Sequence, residues 1–417
     1  MSGARLWAAT AWVRGGWARG VLLRVGSDGR WAEVASGVAQ PPPEATVLPG
    51  PAIPALVNAH SHAFQRAFVA LAERRDGPHD DFWSWRDRMY GVALRITPEQ
   101  LQAVARHLYA ELLAGGFAHV VEFHYLHHAP DGRPYADEAT MARALAEAAQ
   151  DVGIGLTLLP VLYERAGFTQ PALREDQRRF AADAERVLRL RDAVRAWALP
   201  QVGAGVAVHS LRAARPEGIH ALARALHGDP GPIHVHVAEQ TAEVADCRAA
   251  TGRRPVQWLA DEGLLDARWQ LVHATHAEPG EIAAVAASGA GVVLCPGTEA
   301  NLGDGLPDLP GWLAGPTPLA LGTDSHVTRT ASEELRWLEY GQRLHLRRRN
   351  VAADAALPPA AQPSTAARLF ERVLAGGAAA AGLGPAGLRV GARADLLVLD
   401  EADPGLVGVP ASHWLDA

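Results

Sequence analysis

The sequence predicts an α/β fold in which a TIM-type (β/α)8 barrel is joined to a small β-sandwich domain built from both chain ends. From residue 51 onward, apolar runs alternate with helical segments rich in Ala, Leu and Arg. This alternation is typical of βα units around a parallel sheet, and eight units favour a closed barrel over an open sheet. A chain of 417 residues can hold such a barrel, of about 250 residues, and a second domain. The eight candidate strands are 51–60, 117–124, 153–162, 203–209, 231–237, 269–273, 289–295 and 318–323.

The chain ends have a different pattern. Residues 5 to 50 are short apolar runs broken by glycines, and the tail at 391–399 returns to the same pattern. Such runs indicate strands and turns. We therefore predict a small β domain from residues 1–50 and 385–417, with the catalytic barrel over 51–384. A helix is expected to begin at Thr97, where an N-cap threonine precedes Pro98 and Gln100.

Charge and cysteine content restrict the class of partner. The formal net charge is −7, so no strongly basic face is expected for nucleic acid or an anionic membrane, and a small-molecule substrate is the expected partner. Cys247 and Cys295 lack CxxC spacing, which argues against a disulfide framework and fits a cytoplasmic enzyme. No apolar stretch is long enough to span a bilayer.

Polar residues follow the apolar runs where reactive groups of a barrel are expected, at the carboxyl ends of the strands. His60 and His62 are two apart on the first strand, so their imidazoles point to the same side. Alone, this pair could be ordinary strand-end histidines. His236 on the fifth strand and Asp324 after the eighth would complete a shell of three nitrogens and one oxygen suited to zinc. Glu239 and His273 lie at further strand ends.

The basic residues indicate how many metal ions the site holds. The sequence contains no lysine, so a carbamylated lysine cannot bridge two ions. The fourth strand segment, 206–210, offers no carboxylate that could replace it. We therefore predict one zinc per chain.

This pattern of HxH, HxxE, a sixth-strand histidine and an eighth-strand aspartate resembles the amidohydrolase superfamily, in particular its mononuclear aminohydrolases. The resemblance covers nearly the whole chain. It implies that His60, His62, His236 and Asp324 bind the metal, and that Glu239, His273 and Asp324 are the catalytic groups that handle protons. Relatives of this kind are commonly homodimers, so a homodimer is expected.

Longer strings narrow the resemblance to a subgroup that removes ammonia from a linear amidine of glutamate: 58–73 (NAHSHAFQRAFVALAE), 81–90 (DFWSWRDRMY), 122–137 (EFHYLHHAPDGRPYAD) and 295–305 (CPGTEANLGDG). By that resemblance the substrate pocket is lined by Gln65, Arg86, Tyr125, His209 and Arg212. A glutamate derivative carries two carboxylates, which need cationic donors such as the two arginines. Taken singly, each arginine could equally stack on an aromatic ring or form a structural ion pair.

Two alternatives stay open. Another mononuclear aminohydrolase could act on guanine, cytosine or a related ring, or the barrel could be a non-catalytic assembly protein, although such relatives usually lose ligands. Of the other polar residues, His234 is expected to pack outward against helices, and Cys295 to be a small buried hydrophobe. His276 and His326 are candidates for orienting a ligand.

Overall fold

The computed structural model of the chain describes residues 3–75, 80–354, 357 and 364–417. In chain order its strands are β1 (Arg5–Val13), β2 (Gly16–Val25), β3 (Trp31–Ala35), β4 (Thr46–Val47), β5 (Ala52–Pro54), β6 (Leu56–Ser61), β7 (Phe117–His124), β8 (Gly155–Leu162), β9 (Val202–Ala204), β10 (Val206–Ser210), β11 (Ile233–Val237), β12 (Trp269–His273), β13 (Gly291–Leu294), β14 (Leu319–Leu321) and β15 (Leu396–Val398). Its α-helices are α1 (Phe82–Ala93), α2 (Pro98–Ala114), α3 (Thr140–Val152), α4 (Ala184–Ala196), α5 (Pro216–Ala225), α6 (Thr241–Thr251), α7 (Pro255–Asp261), α8 (Pro279–Ser288), α9 (Pro296–Leu302), α10 (Leu309–Ala314), α11 (Ala331–Leu346) and α12 (Thr365–Ala380).

The barrel is a closed ring of parallel strands. Strands β6, β7 and β8 pair in chain order, as do β10 to β14; β8 pairs with both β9 and β10, and β14 returns to pair with β6. Strand β8 is buried along its whole length, as expected for a parallel sheet covered by helices. The predicted (β/α)8 fold is therefore confirmed.

Two predicted strands differ in detail. The first part of the segment 51–60, Ala52–Pro54, pairs antiparallel with β15 in the small sheet, and only β6 enters the barrel. The fourth strand divides into β9 and β10 around Gly205. A Cβ on that glycine would lie 2.4 Å from the carbonyl oxygen of Pro232, so the close approach of this neighbouring backbone requires glycine.

Both chain ends contribute to one six-stranded sheet, in the order β15, β5, β1, β2, β3, with β4 beside β1. Its core is a separate apolar cluster that includes Leu23 and Trp31. The predicted start of α2 is also present: Thr97 Oγ1 accepts from the Gln100 amide at 3.3 Å, and Gln100 Oε1 accepts from the Thr97 amide at 3.0 Å. Among the described residues, no helix is long and apolar enough to cross a bilayer.

Candidate active site

Four side chains from three parts of the barrel converge at the carboxyl ends of its strands. The Nε2 atoms of His60 and His236 lie 3.0 Å apart, and Asp324 Oδ1 lies 3.4 Å from His60 Nε2 and 3.3 Å from His62 Nε2. All four residues are at least nine-tenths buried. The structure thus brings together the four residues expected to bind metal.

The protonation of this cluster suits a cation. His62 Nδ1 donates to the Phe123 carbonyl at 3.0 Å, which leaves Nε2 free to face the cluster. Burial lowers the pKa of His60 to about 3, so its imidazole is neutral. Burial opposes ionisation of Asp324, but its hydrogen bond to His60 and the neighbouring imidazoles lower its pKa below the usual range. Neutral imidazoles around an ionised carboxylate form the donor set that zinc prefers.

The backbone is strained at the strand ends that carry these groups. Ala238, His273 and Asp324 have φ values of 51°, 69° and 48°, a left-handed conformation that is unusual for residues other than glycine. Such conformations persist where the surrounding structure holds them, and they are concentrated at functional sites.

Glu239 and His273 lie beside the cluster. His273 Nε2 is 3.8 Å from Glu239 Oε1 and 3.9 Å from Asp324 Oδ2. Burial raises the pKa of Glu239 to about 7, which suits a group that takes up and releases a proton near neutral pH. The carboxylate of Glu243 accepts hydrogen bonds from the amides of Ala238 and Glu239 at 3.3 and 3.1 Å, and so fixes this turn.

A pocket opens beside the cluster, and the five residues expected to bind substrate all line it: Gln65, Arg86, Tyr125, His209 and Arg212. Gln65 Nε2 donates to the Tyr125 hydroxyl at 3.3 Å. The two arginines converge on Trp83, whose ring centroid lies 4.6 Å from the guanidinium carbon of Arg86 and 5.6 Å from that of Arg212.

The electrostatic surroundings of Arg86 favour an anionic ligand. Burial and the neighbouring charges of Arg174 and Arg212 lower the pKa of Arg86, and its buried Nε has no hydrogen-bond partner among the described residues. Among those residues the nearest carboxylate oxygen in ion-pair range is that of Asp87, 3.9 Å from Arg86 Nη2. An incoming carboxylate would therefore gain a donor that the protein leaves mostly unpaired.

Besides Glu243, sequence reasoning missed two further buried carboxylates that support the site. Glu122, near the end of β7, accepts from Ser61 Oγ and from the Ala63 amide, both at 2.6 Å. These two hydrogen bonds hold the end of β6 in place. Glu299, in α9, lies 3.3 Å from His273 Nδ1. Both belong to the strings quoted above, but nothing in their spacing distinguishes them from solvent-exposed acids.

The other candidates have structural partners. His234 Nε2 donates to the Ala380 carbonyl at 2.8 Å, so it points outward to α12 as expected. His326 Nε2 lies 3.2 Å from Ser61 Oγ, and so supports the end of β6 between His60 and His62. His276 Nε2 donates to the Asp304 carbonyl at 2.9 Å.

Fold and site agree with the comparison to known proteins. The chain belongs to the amidohydrolase family, whose sequence model matches residues 52–415. It is 47% identical to formimidoylglutamate deiminase of Pseudomonas aeruginosa, over 99% of this chain and 90% of that one. It is 28% identical to 5-methylthioadenosine/S-adenosylhomocysteine deaminase of Halobacterium salinarum, over 86% of this chain and 74% of that one.

Solved structures give the same result. The crystal structure of an amidohydrolase from Brucella melitensis superimposes with a TM-score of 0.92 at 42% identity, covering 99% of this chain and 90% of that chain. An adenosine deaminase from Xanthomonas campestris, solved with bound zinc, has a TM-score of 0.78 at 22% identity, covering 99% of this chain and 88% of that chain, and shows the shared fold.

Proposed function

We propose that this chain hydrolyses N-formimidoyl-L-glutamate to N-formyl-L-glutamate and ammonia, a step of histidine degradation, and that it uses one zinc per chain. The observation that carries the proposal is a single pocket lined both by the histidine and aspartate cluster and by two arginines without close ion pairs among the described residues. A substrate with a hydrolysable C=N end and two carboxylates matches both parts of this pocket. The identity of 47% to the Pseudomonas aeruginosa enzyme supports the same substrate.

His60, His62, His236 and Asp324 would hold the zinc ion. They offer three nitrogens and one oxygen, and the absence of lysine excludes a carbamylated bridge to a second ion. When bound, zinc supplies Lewis-acid chemistry and makes water at the site a stronger nucleophile near neutral pH.

The protein's own groups then manage the protons. The water that attacks the formimidoyl carbon loses one proton, and Asp324 and His273 are placed to help remove it, because both face the same space. Glu239, whose backbone amide is held by Glu243, passes that proton to the departing nitrogen. The protonated nitrogen leaves as ammonia when the tetrahedral carbon collapses to the formyl product.

Substrate binding is assigned to the residues that line the rest of the pocket. Arg86 and Arg212 pair with the two carboxylates, while Gln65, Tyr125 and His209 position the chain between them and the reacting carbon. This placement would hold a flexible substrate with its formimidoyl carbon beside the metal site.

A ring substrate is the second candidate, because aromatic side chains also line the pocket, among them Trp85, Tyr90 and Phe180. These rings could stack on guanine or cytosine. The arginines favour the dicarboxylate, since a neutral nucleobase would leave two guanidinium groups without an anionic partner.

Ammonia release distinguishes these functions. The purified enzyme, loaded with zinc, is given N-formimidoyl-L-glutamate, guanine, cytosine, adenosine and an amidine without carboxylates. We expect the highest kcat/KM for N-formimidoyl-L-glutamate and little turnover of the uncharged amidine. Preference for a nucleobase would support the ring deaminase, and no turnover of any compound would support a non-catalytic barrel.

We also propose that the enzyme is a cytoplasmic homodimer. Cys247 and Cys295 are both buried and free, which fits a reducing compartment. Light scattering coupled to size-exclusion chromatography would give the mass in solution, and a single 44.2 kDa species would contradict the dimer.

A further inference from the structure

We infer that Glu299 is a positioning residue that fixes the tautomer and orientation of His273. The inference rests on the proposed function, because it concerns the same hydrolytic site. It assigns a role to a carboxylate that neither binds the metal nor lines the substrate pocket, and that acts through an imidazole.

The geometry places Glu299 directly behind His273. Its side chain is 2% exposed, and Oε1 lies 3.3 Å from His273 Nδ1. The opposite nitrogen of the ring, Nε2, faces Glu239 Oε1 at 3.8 Å and Asp324 Oδ2 at 3.9 Å. The imidazole therefore separates a buried carboxylate on one side from the reacting space on the other.

Glu299 is itself held in place. The same Oε1 accepts from the Cys295 amide at 2.9 Å, where β13 ends and α9 begins. Glu299 therefore has a fixed position relative to the strand that follows His273 in the barrel. The carboxylate can direct the ring because its own rotation is restricted.

The chemical consequence follows from the properties of imidazole. In a neutral histidine, one ring nitrogen carries a proton and the other carries a lone pair. A hydrogen bond at one nitrogen determines which of the two carries the proton. A carboxylate at Nδ1 keeps the proton there, so that the lone pair of Nε2 points to the reacting space. When Nε2 gains a proton, the carboxylate stabilises the imidazolium.

Glu299 contacts both His273 Nδ1 and the backbone amide of Cys295. Variants that keep an acceptor for the amide but change the group that faces the imidazole therefore separate the positioning of His273 from the capping of Cys295.

The test compares Glu299→Gln, Glu299→Leu and the control Glu334→Gln. Glu334 is an equally buried acidic side chain that accepts from the Gly297 amide at 2.9 Å, at the start of the same helix, and its hydrogen bonds among the described residues do not include His273. Glutamine at 299 keeps an acceptor for the Cys295 amide but removes the charge. Activity is followed with whichever compound of the panel above the parent enzyme turns over, so failure of the proposed substrate does not affect this test.

We expect Glu299→Gln to lower kcat by about 10-fold and Glu299→Leu by about 10³-fold, with KM and zinc content unchanged. Glu334→Gln should keep the parent kcat. A low-field proton resonance that is absent in His273→Asn should persist in Glu334→Gln and disappear in Glu299→Leu. Parent kcat in Glu299→Gln and Glu299→Leu, equal losses in Glu299→Gln and Glu334→Gln, or loss of zinc in Glu299→Gln would overturn the inference.

Discussion

The Nε2 atoms of His60 and His236 face each other at 3.0 Å, although 176 positions separate the two residues in the chain. Both rings are buried, and burial lowers the pKa of His60 to about 3 and that of His236 well below its usual value, so both imidazoles are neutral. A neutral imidazole can present the lone pair of Nε2 to a metal ion. The contact therefore places two nitrogen donors side by side in the position that a shared metal ion requires.

We predict about one zinc per chain. Elemental analysis of the purified protein measures the ratio, and removal of the metal by a chelator should abolish ammonia release and lower Tm, because binding to the folded state stabilises it. The buried donors of His273, Cys295 and Glu299 also lie within 4.8 Å of one another, but the carboxylate of Glu299 already accepts from the Cys295 backbone amide and lies 3.3 Å from His273 Nδ1. Two tightly held ions per chain, both needed for turnover, would contradict the prediction.

Glu239→Gln should retain zinc and lower kcat by about 10²-fold or more, because glutamine keeps the shape of the side chain but cannot transfer the proton. The measurement is kcat with metal content determined on the same sample. Glu243→Gln is a useful comparison. The Glu243 carboxylate accepts from the Glu239 backbone amide, but it is not the carboxylate closest to His273. Near-parent kcat in Glu239→Gln would place the proton transfer on another residue.

Arg86→Met or Arg212→Met should reduce kcat/KM strongly. Each variant leaves a substrate carboxylate unpaired in a partly desolvated pocket, at a cost of about 2–5 kcal/mol of binding. We expect KM to rise and kcat to fall as well, since the arginines also set where the formimidoyl carbon lies.

Arg174→Met provides the matched control for the arginines. The guanidinium carbon of Arg174 lies 5.7 Å from the ring centroid of Tyr90, which that of Arg86 also faces at 5.5 Å, but the Arg174 guanidinium already donates to Asp176 at 2.9 and 2.7 Å. It should therefore keep most of the parent kcat/KM. Equal losses in all three variants would indicate a general effect of positive charge instead of specific carboxylate binding.

Gly322→Ala should displace His60 and weaken zinc binding. A Cβ at this position would lie 2.6 Å from the Cβ of His60, closer than packed carbon atoms approach, and 3.0 Å from the sulfur of Cys295, which is a tight contact. Zinc content after dialysis and Tm measure the effect. Gly280→Ala, where a Cβ meets nothing within 4 Å, is the control, and parent zinc retention in Gly322→Ala would contradict the expectation.

Ionisation of Glu334 should lower the free energy of unfolding as pH rises. Burial raises its pKa to about 8 from the model-compound value of 4.5, so between these values the folded state binds more protons than the unfolded state. Its stabilising contribution is complete below about pH 4.5 and is lost as pH rises through about 8. Glutamine resembles the protonated form of Glu334. The Tm of Glu334→Gln minus that of the parent should therefore increase as pH rises from about 5 to about 9. A constant difference between the two proteins over that range would show that this carboxyl does not titrate as expected.

The sequence predicts the barrel well because each long apolar run is followed by a helical segment, and this alternation repeats along the whole barrel. It also predicts the cluster of His60, His62, His236 and Asp324, since reactive groups of a barrel lie at strand ends and HxH has strand spacing. It could not predict that Ala52–Pro54 leaves the barrel, because a continuous apolar run does not show where the partner strand changes.

The contacts of Glu122 and Glu299 were not predictable for a different reason. A carboxylate that bonds a backbone amide and one side chain has no sequence period, and its partner is decided by tertiary packing. Arg179 is a further example: it is fully buried and donates to the carbonyls of His128 and Ile96, at 2.7 and 2.9 Å. Its neighbours in the sequence give no indication that an arginine would be enclosed there.

The pairing of β5 with β15 has a consequence for the order in which the protein can fold during synthesis. A ribosome releases β1 to β5 early, but β15 emerges only after the strands of the barrel. Strand β6 likewise has no partner on one side until β14 has been synthesised, and only then can the ring close. Both sheets therefore have an unpaired edge through most of translation, and exposed edges are where nascent chains associate wrongly. Yield of active enzyme should accordingly depend on chaperones and growth temperature more than the stability of the finished fold would suggest.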